Sequence, residues 1–370
     1  MRRVASLTAL CLGLVCLAAC AVTPPRPSGD GQWLAGRLNA AVSANDEQAF
    51  DALFVGTSGS GVRHWIWQNL TALTSVSFGV DRDVLTADWR TLNDAQDITS
   101  HVGRVACVTA TDCRVADLGP QAGAPAPIWA VQPLAVIADG PVSVLATTDD
   151  PSASDWLAAA QAARQAVTDA GLGDLASAWD GALVVEVPRD AGAMAQLLGR
   201  PSMAGYTTSG AVTWVERRPG GAPPDAGYVA HIIVNPMTTG KLTPAERTLL
   251  LTHETVHVAT VSVPVAPGAV WVSEGLAEHI AVGASPSDVA AEAAQAKASC
   301  SASGLRPPDD EAFGGTDAAA QSSAYATSQV LVGLIMDKLG TSAMDAIVSL
   351  WQGRDAPGVD LEAWSKSWCA

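Results

Sequence analysis

Positive charge is scarce in this sequence, and charge of either sign is sparse. Charged residues make up only 16% of the 370 residues, and 21 Lys and Arg stand against 37 Asp and Glu, which gives a formal net charge of −16 at pH 7. Binding to nucleic acid normally requires a basic surface that neutralises phosphates. We therefore expect no nucleic-acid partner and no electrostatic adhesion to anionic lipid.

Phenylalanine and tyrosine are also rare, whereas tryptophan is not. The chain contains four Phe and three Tyr but twelve Trp, and 48% of its residues are hydrophobic. This composition can supply a sizeable core, in which we expect most Trp side chains to be anchors or to lie at interfaces. A chain of this length suggests two domains.

The apolar run near the N-terminus is too short to cross a bilayer comfortably. It extends from Val4 to Ala19 behind Arg2 and Arg3, as in a secretory signal peptide. It ends in LAAC, which resembles the bacterial lipobox, whose cysteine (here Cys20) carries the lipid. An ordinary cleaved signal peptide followed by an incidental cysteine is the alternative interpretation.

The lipobox resemblance implies an exported protein anchored at the extracytoplasmic face of the cell membrane. Residues 1–20 would be the lipoprotein signal segment, and residues 21–32 a polar, Pro-rich tether. Acyl chains on Cys20 would hold the protein at the membrane without a spanning helix.

Cysteine pairs at CxxC spacing are absent, which argues against a metal site made of cysteines alone. Beyond the predicted signal segment the cysteines are Cys107, Cys113, Cys300 and Cys369. An even number in an oxidising compartment predicts two disulfides, for which three pairings exist. We favour Cys107–Cys113, across a short turn, together with Cys300–Cys369.

The hydrophobic periodicity divides the chain into two α+β regions. Residues 33–54 and about 62–74 have the period of helices, and from residue 75 the period becomes that of strands. The strand patterns are SVSFGV, RVACVT, CRVADL, IWAVQPLAVIA and VSVLATT. They predict a small α+β domain over residues 33–150, loosely resembling the cystatin-like, nuclear-transport-factor-like fold. After a boundary at DDP, residues 155–370 form the second predicted domain.

A helix with unusual chemistry is predicted in the second region. Thr243 and Glu246 match a capping box around a proline, so the helix should begin at 243 and run to about 260. His253 and His257 then lie one turn apart, where two imidazoles can converge on one metal ion. Glu254 can reach a water on that metal without ligating it. The chance expectation for HExxH in this composition is roughly 0.003 occurrences.

The following segment, WVSEGLAE at residues 271–278, predicts a second helix that carries Glu274. A site with two histidines needs a third protein ligand and one open position. HETVH followed by WVSEGLAEH resembles the gluzincin metallopeptidases, with HExxH on one helix and the third ligand on the next. The resemblance is strong over residues 243–280, extends plausibly over 155–370 and does not include 33–150.

The gluzincin resemblance implies a mixed sheet with a helical subdomain, and it implies a role for each site residue. His253, His257 and Glu274 would bind Zn²⁺, and Glu254 would be the general base for a zinc-activated water. Two histidines and one carboxylate favour zinc without excluding cobalt or manganese.

Two further residues complete the predicted site. Glu278 would hydrogen-bond the first zinc histidine, and its alternative is a surface acid. Tyr325 would donate to the oxyanion, and its alternative is a core aromatic. His279 is a weaker candidate, because it is expected to point away from the ligand face. The other histidines, His64, His101 and His231, are expected to be structural or exposed.

Two segments are expected to border the cleft. From the resemblance, the strand in GYVAHIIVNP (residues 227–236) would form the edge against which an extended peptide pairs. The Ala-rich and Pro/Gly-rich stretch over about 283–322 could cover the cleft, restrained by a bridge at Cys300.

The hypothesis is a secreted, membrane-anchored zinc metallopeptidase that hydrolyses peptide or protein substrates. No GxMEN-like signature is present, so the resemblance does not extend to aminopeptidases in particular. One alternative is a catalytically inactive or non-proteolytic binding lipoprotein that retains the peptidase fold. Another is a zinc hydrolase that acts on a cell-wall peptide crosslink. Nothing in the sequence indicates the oligomeric state.

Overall fold

The computed structural model describes residues 31–370, apart from 57–59, 110–111, 120–122, 208, 217–228, 284–285 and 315–316. Helices and strands mix along the chain, which confirms the α+β class. The predicted signal segment, its Cys20 and almost all of the predicted tether lie outside the described residues. Within the described part, no helix is both long enough and apolar enough to cross a membrane.

Three helices precede a four-stranded antiparallel sheet. The elements are α1 (Gln32–Ser43), α2 (Glu47–Asp51), α3 (Ser60–Thr71), β1 (Ser75–Asp81), β2 (Val84–Arg90), β3 (Ile98–Thr109) and β4 (Asp112–Leu118), and the strands pair in that order. Helix α1 packs against β1. There the Asn39 side chain donates to the Phe78 carbonyl at 3.0 Å and accepts from the Phe78 N–H at 2.6 Å. One half-buried amide thus fixes the helix to the strand.

The second sheet has five strands and mixed direction. They are β5 (Ala135–Asp139), β6 (Val142–Ala146), β7 (Leu183–Glu186), β8 (Ala211–Glu216) and β9 (Val229–Val234), in the order β5-β6-β7-β9-β8. The three central strands β6, β7 and β9 are parallel, and the outer strands β5 and β8 are antiparallel to their neighbours. All side chains of β6 and β7 are buried, as expected of parallel strands covered on both faces.

The strands over residues 135–146 join a different sheet from the one their pattern suggests. The sequence groups them with the first run of strands, whereas in the structure β6 pairs with β7. The predicted domain limits, 33–150 and 155–370, stay predictions, because sheet membership alone does not show which segments fold independently.

The pattern IWAVQPLAVIA is only partly a strand. Residues 128–130 form a 3₁₀ turn, and β5 begins at Ala135. The buried Asn69 amide donates to the carbonyls of Trp129 and Gln132 at 2.7 Å each and accepts from the Leu134 N–H at 2.8 Å. One side chain therefore satisfies the backbone groups that a strand ladder would otherwise pair. The prediction of a strand is wrong for this first half.

Helices make up most of the remaining chain. They are α4 (Ala153–Ala170), α5 (Ala191–Leu197), α6 (Pro236–Thr239), α7 (Pro244–Thr260), α8 (Val270–Val282), α9 (Pro286–Lys297), α10 (Ala318–Leu339), α11 (Ala343–Trp351) and α12 (Leu361–Cys369). Helix α7 packs against α4, β8 and α8, and α8 packs against α10. The arrangement brings one end of the sheet, α7, α8 and α10 together.

Gly275 permits the close approach of α8 and α10. A Cβ atom at this position would lie only 2.5 Å from the carbonyl oxygen of Ser328. Because no side chain fits in that space, glycine is required where the two helices cross. This close crossing places Glu274 and Glu278 of α8 beside Tyr325 of α10.

Both predicted disulfides are confirmed. Cys107 and Cys113 are partners across β3 and β4. Cys300 and Cys369 are 69 positions apart and tie the segment after α9 to the last helix. On the chain-entropy account, closing a loop of this size stabilises a fold by roughly 4 kcal/mol.

Candidate metal centre

Helix α7 begins as its sequence predicts. The Thr243 hydroxyl accepts from the Glu246 N–H at 3.3 Å, and the Glu246 carboxylate accepts from the Thr243 N–H at 2.7 Å. Pro244 occupies the first helical position, where its missing N–H costs nothing. The capping box therefore fixes the phase of the helix, and with it the direction in which His253 and His257 point.

Three side-chain atoms from α7 and α8 form a small triangle. His253 Nε2 and His257 Nε2 are 3.1 Å apart, and each lies 3.3 Å from Glu274 Oε2. In the part of the chain that the structure describes, these three residues are the group whose ligand atoms converge as a metal site requires. The three residues predicted as zinc ligands therefore have ligand atoms close enough together to share one metal ion.

The triangle has the dimensions of one face of a zinc coordination tetrahedron. With bonds of roughly 2.0–2.1 Å, neighbouring ligand atoms of tetrahedral zinc stand roughly 3.3 Å apart. The observed separations of 3.1 and 3.3 Å match this value. Two imidazoles and one carboxylate also form a donor set that zinc accepts with one position left open. The residues present fit a zinc ion.

Glu278 contacts the far side of the first histidine. Its Oε2 lies 2.9 Å from His253 Nδ1, one turn along α8 from Glu274. Because a carboxylate can only accept here, Nδ1 carries the proton, and in the neutral ring Nε2 is left with a free lone pair. The contact thus sets the tautomer in which His253 can act as a ligand.

Without a metal, the same carboxylates hold a proton on His253. Burial alone would lower the pKa of its imidazole, but hydrogen bonds to Glu274 and Glu278 and their charges raise that pKa well above its ordinary value. Burial would likewise raise the pKa of the Glu274 carboxyl, yet the adjacent imidazoles of His257 and His253 hold it well below its usual range. A metal ion entering the site must therefore displace a proton.

Glu254 is held by a residue that the sequence analysis missed. Its side chain is buried on α7, and Thr213 Oγ1 of β8 donates to Glu254 Oε2 at 2.6 Å. The same hydroxyl lies 3.2 Å from the Glu254 carbonyl oxygen. The two residues are 41 positions apart, and no local motif marks a threonine in a strand as the partner of a helix. Only the three-dimensional pairing of β8 with α7 shows it.

Tyr325 reaches the site from α10. Its ring centroid lies 5.8 Å from that of His253 and 5.4 Å from that of Phe313, both edge to face. Burial raises the pKa of the Tyr325 hydroxyl, and the charges of Glu274, Glu254 and Glu278 raise it further. The phenol therefore stays protonated at physiological pH and is available as a donor.

A cavity of about 690 Å³ opens beside His253 and Glu254. Its wall includes Tyr325, Glu278 and residues at the beginning of β8. Residues of the predicted covering stretch also line it, namely Glu292, Ala318, Gln321 and Ser322. Burial and the charges of Glu278 and Asp288 raise the pKa of the Glu292 carboxyl to about 7, and its Oε2 has no hydrogen-bond partner among the described residues.

The edge of the sheet is not where the sequence analysis placed it. The predicted edge strand, residues 227–236, corresponds to β9, which lies between β7 and β8. The edge strand beside β9 is β8, Ala211–Glu216, and β5 is at the opposite edge. The edge position came from the resemblance, and the prediction was wrong because the earlier strand β8 pairs antiparallel with β9 and lies outside it.

The remaining histidines lie away from the triangle. His231 is buried between Asp94 and Glu186, at 2.8 Å from each carboxylate. His279 has a buried Nδ1 without a hydrogen-bond partner in the described structure, and burial lowers the pKa of its ring. His64 and His101 are exposed.

Comparison with protein families and with curated proteins gives no relative. No family model matches the chain, and no curated protein is significantly similar to it. The functional interpretation therefore depends on the residues and their geometry.

Proposed function

We propose that the protein is a zinc metallopeptidase. One observation carries the proposal: His253, His257 and Glu274 form a triangle of tetrahedral dimensions with an acid, Glu254, next to it on the same helix. The cavity beside them is large enough to admit part of a peptide. The gluzincin-like identity of residues 155–370 is part of the proposal. It is supported by the succession of sheet, HExxH helix and third-ligand helix.

A bound zinc ion would supply Lewis acidity for activating water and polarising the scissile carbonyl. The chain's own groups handle the protons. Glu254 accepts a proton from the attacking water and returns it to the leaving amine. Glu278 keeps His253 in the tautomer that presents Nε2. Tyr325, protonated and on the cavity wall, donates a hydrogen bond to the oxygen that becomes negative.

The substrate would be an extended peptide paired along β8. This strand ends the order of the second sheet, and its first residue, Ala211, lines the cavity beside Glu254. An open strand edge offers a row of backbone groups, so a peptide can bind by β-augmentation. The peptide would then run past the triangle in a fixed register.

The proposal includes export and a lipid anchor at Cys20. It is supported by the two disulfides, which are typical of oxidising compartments. The cystatin-like identity of residues 33–150 is also a proposal, supported by α1 packed on a four-stranded antiparallel sheet.

The test is hydrolysis of a broad peptide library by the zinc-loaded protein, with cleavage sites mapped by mass spectrometry. Cleavage that a chelator removes and zinc restores is the expected result. If zinc binds to the triangle but no peptide is cleaved, the proposal fails, and the non-proteolytic binding lipoprotein becomes the better explanation.

A further inference from the structure

Among the residues that the structure describes, the Thr213 hydroxyl contacts Glu254 alone, with the carboxylate at 2.6 Å and the more distant backbone carbonyl oxygen at 3.2 Å. Thr213 lies on the face of β8 that packs toward α7, two residues after the buried Ala211. Alternate residues Val212 and Trp214 point the other way and pack on the first hydrophobic core. A valine has nearly the same shape as threonine and would fill the same space. Packing therefore does not require the hydroxyl, whereas Glu254 receives a hydrogen bond from it at 2.6 Å.

We propose that Thr213 is the positioning residue for the general base. This inference rests on the proposed function, because it assigns a partner to the base of that reaction. The short hydrogen bond to a carboxylate is of the strong, charge-assisted kind. It engages Oε2, so Oε1 is the oxygen that accepts the proton from water. Thr213 acts through Glu254 and does not touch the substrate itself.

The position of Thr213 on an edge strand gives this contact a second consequence. A peptide paired along β8 would have its backbone registered against the strand that also holds the base. The hydrogen bond from Thr213 would then tie Glu254 of α7 to the strand that holds the peptide, so the scissile bond and the base would keep a fixed relative position. Correct placement of reacting groups to within a fraction of an ångström is worth large factors in rate.

The experiment compares Thr213→Val, Thr213→Ser and Thr248→Val in the full, zinc-loaded chain. Thr248 is the matched control, because its hydroxyl donates to the Pro244 carbonyl within α7 and not to a site residue. With a quenched fluorescent peptide derived from a mapped cleavage site, T213V should lower kcat about tenfold to a hundredfold, since a hydrogen bond to a charged group is lost. KM and zinc content should stay unchanged, T213S should recover most of kcat, and T248V should resemble the wild type.

Crystal structures of the zinc-loaded wild type and T213V provide a readout that does not depend on turnover. We expect the Glu254 carboxylate to leave its wild-type position in T213V while the triangle is unchanged. The inference is overturned if Glu254 keeps its position in T213V, or if T213V retains the wild-type kcat. A wild type that cleaves no peptide, with Glu254 displaced in T213V, would sink the peptidase proposal and leave the positioning role standing.

Discussion

Among the described residues are two clusters of histidine and carboxylate, one buried around His231 and one half-buried around His253, and they differ in which lone pairs remain free. His231 has a carboxylate on each ring nitrogen, Asp94 at 2.8 Å and Glu186 at 2.8 Å. His253 has one nitrogen on Glu278, while the other faces His257 and Glu274. The two carboxylates around His231 accept hydrogen bonds from both N–H groups of a doubly protonated ring. The His253 cluster leaves two imidazole nitrogens and a carboxylate converging on one point.

The comparison shows that burial and carboxylates alone do not make a metal site. Burial alone would lower the pKa of His231, but its two carboxylates raise that pKa to about 10, so the ring is an imidazolium that bridges two acids. This cluster joins Asp94, in the turn between β2 and β3, to β7 and β9 of the second sheet. It is a structural ion pair between the two sheets, beside a cavity of about 350 Å³ that Asp94 lines, whereas His253 lies on the larger cavity of about 690 Å³.

The largest expected effect comes from removing the base while the ligands stay. Glu254→Gln should lower peptide hydrolysis by about 10²–10⁴-fold, because the proton acceptor is lost, and zinc content should remain that of the wild type. Steady-state kinetics and metal analysis of the same preparation measure both. Hydrolysis at the wild-type rate would remove Glu254 from the reaction.

The corresponding change in the His231 cluster should affect folding and not the metal. His231→Gln leaves Asp94 and Glu186 buried without their cation, and breaking such a buried pair typically costs about 3–5 kcal/mol. We expect a large drop in the urea midpoint with zinc content and kcat of the folded fraction unchanged. A loss of zinc in this variant would mean that the two clusters are not independent.

Unfolding at alkaline pH should reveal how much the His231 cluster contributes to stability. The pKa of His231 is raised from 6.5 to about 10 on folding, so its contribution to stability is complete below pH 6.5 and is lost as the pH rises through about 10. We expect the wild type to lose on the order of several kcal/mol of unfolding free energy over that range. His231→Gln should lose markedly less. Equal slopes of stability against pH in the two proteins would contradict this assignment.

Removing Glu278, which hydrogen-bonds the ligand His253, should weaken zinc binding less than removing a ligand does. Glu278→Ala frees the His253 ring and its tautomer, and we expect zinc affinity to fall by about 10–100-fold, as for other such partners. Competition with a chromophoric chelator measures it. The exposed Glu362 on α12 is a matched control, and Glu362→Ala should bind zinc as the wild type does. Equal affinities of the two variants would show that Glu278 is not needed.

The smallest expected effect concerns Glu292. Asp94 pairs with His231, whereas one oxygen of the Glu292 carboxylate has no hydrogen-bond partner among the described residues. The pKa of Glu292 is raised to about 7, so ionising it costs stability as the pH rises from 4.5 through 7. Glu292→Gln should therefore raise Tm at pH 8, by on the order of 1 °C because the group is partly exposed, and should not change it at pH 4.5. A lower Tm at pH 8 would contradict the expectation.

The sequence predicted most of the elements that carry the site because their signals are local. The capping box at Thr243, the spacing of His253 and His257 and the cysteine pairs each lie within a short stretch or follow simple counting. Periodicity also located the first three helices and the strands β1, β3 and β4. Gly275 had no explanation in the sequence. The structure supplies one, because Gly275 lies where α8 and α10 cross.

The misses have a common physical cause, since each depends on contacts between distant segments. The order β7-β9-β8 reversed the expected edge strand. The Asn69 amide replaced a strand ladder at Trp129. The Thr213 contact with Glu254 and the Asp94–His231–Glu186 cluster span 41 and 137 positions, respectively. No single-segment pattern encodes such pairings.

The most direct test is the metal content of the purified chain, measured by mass spectrometry for the wild type, His257→Ala and His231→Gln. The account predicts about one zinc per chain in the wild type and in His231→Gln, and none in His257→Ala, because only the second cluster has three convergent lone pairs. A wild type that binds no zinc even when zinc is supplied, or a His257→Ala variant that keeps it, would contradict the central claim.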